Sequence, residues 1–203
     1  MAKSATFTST FDSYDTGIWY RSNATNVAFT SGQLVLTATT SYHYLVSTGD
    51  YDMTDSHFAV EFVQNLNVGS NGSLSTYFRA LDSSGDGSNY FEFEIAGGPS
   101  GTVTFREKYN GSSDTTTGTY DATNYRYLRL REASGTIYWE TSPNGYSWTT
   151  RRSKSALVSV SVADVLLSTG RWAAESSPGN AIFDNLNLMP SEPQPSSNFF
   201  SFI

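Results

Sequence analysis

Tyr90-Phe91-Glu92-Phe93-Glu94-Ile95 is the stretch from which the fold can be read. Phe91, Phe93 and Ile95 recur at every second residue, and Glu92 and Glu94 fill the gaps. A period of two sends the apolar side chains to one face of a strand and the carboxylates to the other, the pattern of a half-buried antiparallel strand. The same period extends outward in both directions. It places Phe58, Val60 and Phe62 on one face of His57–Val63, and it sets Val103 and Phe105 against Thr104 and Arg106. Leu128 and Leu130 alternate with Tyr127, Arg129 and Arg131, and Ile137 and Trp139 alternate with Tyr138 and Glu140. Leu157 and the run Val158-Ser159-Val160-Ser161-Val162 read as a further strand.

Turn signals separate these runs. They include Ser31-Gly32, Asn110-Gly111, Ser134-Gly135 and Pro143-Asn144-Gly145, with longer glycine-rich stretches at 68–72, 83–87 and 97–101. About a dozen strands joined by tight turns predict an all-β antiparallel sandwich or barrel. The only helical candidate, Ala163-Asp164-Val165-Leu166-Leu167, is too short to build on.

Composition agrees. The 203 residues include 13 Phe, 13 Tyr and 4 Trp, enough for a large core, while charged residues make up only 15%. Abundant Ser and Thr with aromatic residues favour strands and turns over helical bundles. The net charge of −7 opposes general binding to nucleic acid or anionic membranes. No segment approaches the ~20 apolar residues of a membrane span. There is no Cys and only two His, His43 and His57, so neither disulfides nor a zinc site of ordinary spacing is expected. Met1-Ala2-Lys3-Ser4-Ala5-Thr6-Phe7 lacks the apolar run of a signal peptide, so the expectation is synthesis in a cytoplasm without export.

The chain divides at residue 189. Residues 1–189 carry the strand pattern, and residues 190–203 read as a proline-rich linker and an apolar tail. Pro190, Pro193 and Pro195 oppose helix and sheet alike, and Phe199, Phe200, Phe202 and Ile203 then form a docking segment for a partner.

Several segments resemble a family in their order. They are Thr6-Phe7, Phe11-Asp12 and Thr16-Gly17-Ile18-Trp19, then Tyr125–Arg131 with Gly135–Thr149, and finally Ala181-Ile182-Phe183-Asp184-Asn185-Leu186. Together they resemble a concanavalin A-like jelly roll of the laminin-G and glucanase type, over residues 5–190. The resemblance implies two large antiparallel sheets, one convex and one concave, with adjacent termini. A looser similarity links the chain to minor tail or capsid-surface proteins of actinobacterial tailed phages. It is carried by the Met start, the absence of Cys, the Ser/Thr/Gly/Tyr-rich jelly roll and the apolar tail. That similarity implies a non-enzymatic virion structural protein, a minor tail or capsid-decorating component made in host cytoplasm. Its partners are expected to be other virion proteins, through the tail, and host cell-wall polysaccharide. The alternatives are a soluble carbohydrate-binding module and, behind it, a degenerate glycoside hydrolase.

Candidate chemistry lies on the outward positions. Glu92 and Glu94 share one face, as the two carboxyl groups of a retaining glycosidase must. Glucanases of the family carry Glu-x-Asp-x-Glu on one strand. Here the third position is Ala96 in one register and the first is Tyr90 in the other, so one carboxylate of three is missing. Both glutamates are therefore expected to pair with arginines such as Arg79, Arg106 or Arg129. Tyr77, Arg79, Glu92, Arg129 and Tyr138 are read as one outward, sugar-binding type of surface, with Trp148 beyond its hairpin turn as an exposed addition. Trp139 is read as core. Asp82-Ser83-Ser84-Gly85-Asp86-Gly87 has Phe93 where a calcium loop needs its bidentate Glu, so it reads as a turn. No cofactor is required. The resemblance allows a calcium ion at Asp12 and Asp184, where first and last strands meet in laminin-G-like relatives.

Overall fold

A computed structural model describes residues 1–67, 74–83, 88–98, 101–171 and 178–193. Among the described residues there are sixteen strands and one 3-10 turn, Ser4–Thr6. In chain order the strands are β1 (Ala2–Lys3), β2 (Trp19–Arg21), β3 (Val27–Thr30), β4 (Gln33–Thr37), β5 (His43–Ser47), β6 (Tyr51–Asp52), β7 (His57–Gln64) and β8 (Leu74–Asp82). They continue as β9 (Tyr90–Ala96), β10 (Thr102–Tyr109), β11 (Ser112–Thr119), β12 (Tyr127–Ala133), β13 (Thr136–Ser142), β14 (Thr149–Ser155), β15 (Ala163–Arg171) and β16 (Asn180–Asp184).

The strands form a sandwich of two sheets. One has nine strands in the order β1-β6-β15-β8-β9-β10-β11, with β5 also on β15 and β2 on β5. The other has seven, in the order β14-β13-β12-β7-β16-β4-β3. Among the described residues every strand pairing is antiparallel except β1 with β6.

Two-residue hairpins link β10 to β11 and β12 to β13. Both central residues of each have positive φ, Asn110 and Gly111 in the first, Ser134 and Gly135 in the second. That backbone matches the right-handed twist of the flanking strands, and it explains the x-Gly signals in the sequence.

The inward positions meet in one core. Phe58, Phe62, Phe78, Phe91, Phe93, Trp139 and Phe183 are all essentially inaccessible. Trp139 lies inward as its alternation predicts, and its Nε1–H donates to the Glu92 carbonyl at 2.9 Å, tying the seven-stranded sheet to the nine-stranded one. Fully burying one such large side chain stabilises the fold by roughly 1.5–3 kcal/mol.

Three features differ from the sequence reading. Ala163–Leu167 is not helical; it opens β15, the strand between β8 and β5. Its apolar residues alternate, Val165 and Leu167 buried against Asp164 and Leu166, so a period of two was present in five residues. Residues 157–162 form no strand although they alternate; Leu157 is exposed, and only Val158 is fully buried there. Conversely, β11 is an edge strand of Ser, Thr, Asp and Gly with no apolar residue, so hydrophobic periodicity could not reveal it.

The path after β16 keeps to the body through a bridge between Ser9 and Leu186. Pro190 still touches it, because a Cβ built on Gly145 meets the Pro190 Cδ at 2.5 Å. The docking segment Phe199, Phe200, Phe202 and Ile203 lies outside the described residues, as do Trp172 and residues 84–87 of the turn-like loop.

Candidate functional site

The outward positions of the nine-stranded sheet build a groove. Pairing of β8 with β9 sets Tyr77 opposite Glu94 and Arg79 opposite Glu92. β10 continues the rows, with Arg106 opposite Glu92 and Lys108 opposite Tyr90. On the other side β15 sets Ser168 opposite Tyr77 and Leu166 opposite Arg79, and β5 sets Tyr44 opposite Ser168. These side chains face away from the core because they alternate with Phe78, Phe91, Phe93 and Leu167. The resulting groove has a volume of about 550 Å³ and is lined chiefly by Tyr42, Tyr44, Tyr77, Tyr90, Arg106 and Lys108. From β5 to β11 it crosses six strands, roughly 24 Å at ~4.8 Å per strand interval.

Its floor is a charge cluster. Glu92 is wholly buried. Arg79 donates to it from Nε at 2.8 Å and from Nη2, and Arg106 donates to it from Nη1. Arg106 also reaches Glu94 through Nη2 at 2.6 Å, so one guanidinium spans both carboxylates. Glu94 accepts further hydrogen bonds from the Ser75 hydroxyl at 3.1 Å and from Tyr77 at 3.4 Å. Burial pushes the Glu92 carboxyl above its ordinary range, while Arg79 and Arg106 pull against that shift. Burial and the nearby Glu94 charge likewise raise the Tyr77 phenol, keeping it a neutral donor. Above the floor, the Arg79 guanidinium lies 4.0 Å from the Tyr90 ring centroid, and the Lys108 ammonium lies 5.7 Å from the same ring.

The structure divides the six residues proposed for sugar contact. Tyr77, Arg79 and Glu92 meet in the groove. Arg129, Tyr138 and Trp148 lie on or beside the other sheet and form a second cluster on its outer face. There Arg129 donates to Glu140 at 2.7 Å, and Arg131 donates to it at 3.0 and 2.9 Å. The Arg129 guanidinium stacks 4.1 Å from the Trp148 ring, and that of Arg131 stacks 4.1 Å from Tyr138. The single surface read from the sequence is thus two surfaces on opposite sides of the sandwich. Of the arginines expected to hold Glu92 and Glu94, Arg79 and Arg106 do so, and Arg129 serves Glu140 instead. The groove also takes in Tyr42, Tyr44 and Lys108, which the sequence did not single out. Tyr90, Arg106 and Lys108 were findable, because they share the outward parity of one hairpin. Tyr42 and Tyr44 were not, because β15 brings them in from far away in the chain.

Asp12 and Asp184 approach the same β3–β4 turn. A Cβ built on Gly32 meets Asp12 Oδ1 at 3.0 Å, and Gln33 Nε2 donates to Asp184 Oδ2 at 3.4 Å. Asp184 Oδ1 also accepts the Asn185 N–H at 2.8 Å. No group of three or more His, Cys, Asp or Glu suited to a metal occurs among the described residues. A calcium shell of 6–8 oxygens therefore needs main-chain carbonyls and water beside these two carboxylates.

The architecture is that of a concanavalin A-like jelly roll, and comparison with solved structures bears this out. The chain is similar to the β-glucanase of Bacillus licheniformis, with 18% identity, a TM-score of 0.65 and coverage of 89% of this chain and 94% of that one. It is also similar to a structure titled as a native glycosidic hydrolase, at 14% identity and a TM-score of 0.69, covering 92% and 96%. A glycoside hydrolase family 16 endo-glucanase from Bacteroides ovatus matches at 10% identity and a TM-score of 0.58, covering 89% and 97%. At these identities the likeness concerns the fold. No protein-family model and no curated protein matches the sequence.

Proposed function

We propose that this chain binds glycan without cleaving it, and that it does so as a structural surface component of an actinobacterial phage particle. The observation that carries the binding reading is the tyrosine groove above a carboxylate cluster already occupied by arginine. Tyrosine rings offer apolar faces to sugar rings, with hydroxyls at their edges. Retaining hydrolysis needs one carboxylate free to attack and another free to donate a proton. Here Glu92 is buried under two arginines, and Glu94 shares one of them. Tyr90 and Ala96 occupy the flanking outward positions of the strand. Such an arrangement holds a ligand and lacks a free nucleophile.

The test is a binding and turnover assay on the whole chain. Laminarin and lichenan should release no reducing sugar; release that disappears in Glu94→Gln would overturn the non-catalytic reading. Affinity electrophoresis against a panel of cell-wall polysaccharides should show retardation. Tyr42→Ala with Tyr44→Ala should weaken it about tenfold, the equivalent of ~1.4 kcal/mol, and Trp148→Ala should leave it unchanged.

Placement on a particle rests on the sequence, on the apolar tail behind its prolines and on the similarity to phage surface proteins. Deleting residues 194–203 should leave thermal unfolding unchanged and abolish incorporation into particles. Normal incorporation would remove the tail from that role.

A further inference from the structure

The groove is built on the cationic exception of an acidic protein. Acidic residues outnumber lysine and arginine 19 to 12 over the chain. Most described basic side chains accordingly meet a carboxylate: Lys3, Arg79, Arg106, Arg126, Arg129, Arg131, Arg152 and Lys154 all do. Arg21 and Arg151 do not, but each donates to an oxygen, the Val27 carbonyl and the Thr141 hydroxyl respectively. Lys108 is different. Its ammonium faces the Tyr90 ring in the groove and has no oxygen partner among the described residues. The groove-facing charges of β8, β9 and β10 are Arg79, Arg106 and Lys108 against Glu92 and Glu94, one positive charge in excess within a chain of net −7.

We infer that the groove takes an anionic polysaccharide, one bearing a carboxylate or phosphate on its repeat, with Lys108 as the residue that meets the anion. The inference rests on the groove being a glycan site. The physical reason is that the charges of Arg79 and Arg106 are paired with Glu92 and Glu94. An incoming anion therefore finds one uncommitted ammonium, set over a ring whose hydroxyl-bearing neighbours bind the sugar itself. Ser113, also in the groove lining beside β10, adds a hydroxyl on the same side. A neutral glycan would leave that ammonium facing only the ring and water. An anion would complete it by a charge-assisted hydrogen bond, the stronger kind.

The experiment measures binding of the full chain to polygalacturonate, to a glycerol-phosphate teichoic acid and to neutral laminarin, at low and at physiological salt. At least one anionic polymer should bind about tenfold more tightly than laminarin at low salt and lose most of that margin as salt screens it. Lys108→Gln should bring it down to the laminarin level, and Lys108→Arg should restore most of the difference. Retention of polygalacturonate alone assigns the anion as carboxylate, and retention of the teichoic acid alone assigns it as phosphate. Laminarin binding equal to or tighter than both anionic polymers overturns the charge inference and leaves the groove reading standing. So does an anionic margin that Lys108→Gln leaves intact. Failure of all three polymers to bind overturns both.

Discussion

The two outer faces of the sandwich carry the same device in different surroundings. On the nine-stranded sheet, Glu92 is clamped by Arg79 and Arg106, and Arg79 stacks on Tyr90. On the seven-stranded sheet, Glu140 is clamped by Arg129 and Arg131, which stack on Trp148 and Tyr138. Yet the two glutamates shift in opposite directions. Burial also works against ionisation of Glu140, but the hydrogen bonds and charges of Arg131 and Arg129 outweigh it and hold its carboxyl below the ordinary range. At Glu92 burial wins. The contrast teaches that clamp chemistry alone does not make a site; depth beneath a groove distinguishes the two.

The sharpest way to break this comparison is to remove each glutamate's charge. Glu92→Gln should cost about 3 kcal/mol, because it strands two half-buried guanidinium groups. Glu140→Gln should cost more, about 4 kcal/mol, because its arginines are about as enclosed and the fold favours its ionised form where burial opposes that of Glu92. Urea denaturation of both variants decides it, and equal costs would make the faces equivalent.

The faces also titrate in opposite senses. Burial, helped by the charges of Arg129 and Arg131 and opposed by Glu140, lowers His57 to about 4. Its fold holds it neutral while the unfolded chain takes up a proton, so it removes about 2–3 kcal/mol of stability as pH falls from 6.5 towards 4. Burial, with the Asp50 charge adding and the Ser47 hydroxyl opposing, raises Asp164 on the groove side to about 6. The native state then keeps a proton that the unfolded chain has lost, so Asp164 removes about 2–3 kcal/mol as pH rises from 3.8 to 6. The two slopes oppose each other between pH 4.5 and 6, so together they change stability by less than either alone. Asp164→Asn should expose the acid-side loss, and His57→Gln the opposite slope. Denaturation midpoints across this window that have the same slope in both variants would contradict the assignment.

The smallest effect concerns calcium. With two carboxylates at the β3–β4 turn, the ion should raise the unfolding temperature by about 3–5 °C at tenfold excess over a millimolar dissociation constant. Asp184→Asn should remove that shift, measured against magnesium as control.

Much of the sandwich was legible because inward and outward parity is a local property. Phe91 and Phe93 lie inward and Glu92 and Glu94 outward, as alternation required. Parity does not say which outside a residue faces. Arg79 and Arg129 share the same alternation but sit on opposite sheets, and only the strand order separates them. That order depends on pairings between distant segments, which leave no local trace. β11 was hidden for a different reason: an edge strand without apolar residues has no hydrophobic period to read. Residues 157–162 show the converse, since alternation there is not matched by a partner strand.

The position of β15 has a consequence for how the molecule comes into being. This strand fills the middle of the nine-stranded sheet, with Thr169 bonded to Ser75, 94 residues earlier, and Asp164 to Ser47, 117 residues earlier. During synthesis the β8–β11 hairpins can close among themselves, while the slot between β5 and β8 stays empty until residue 171 has emerged. The nascent chain therefore carries two unpaired strand edges from the emergence of β8 until that of β15, and long-range pairings of this kind are the slow ones. The groove wall formed by Leu166 and Ser168 is among the last parts to exist. An incomplete chain thus lacks the finished groove, which arrives only with the strand that closes the sheet.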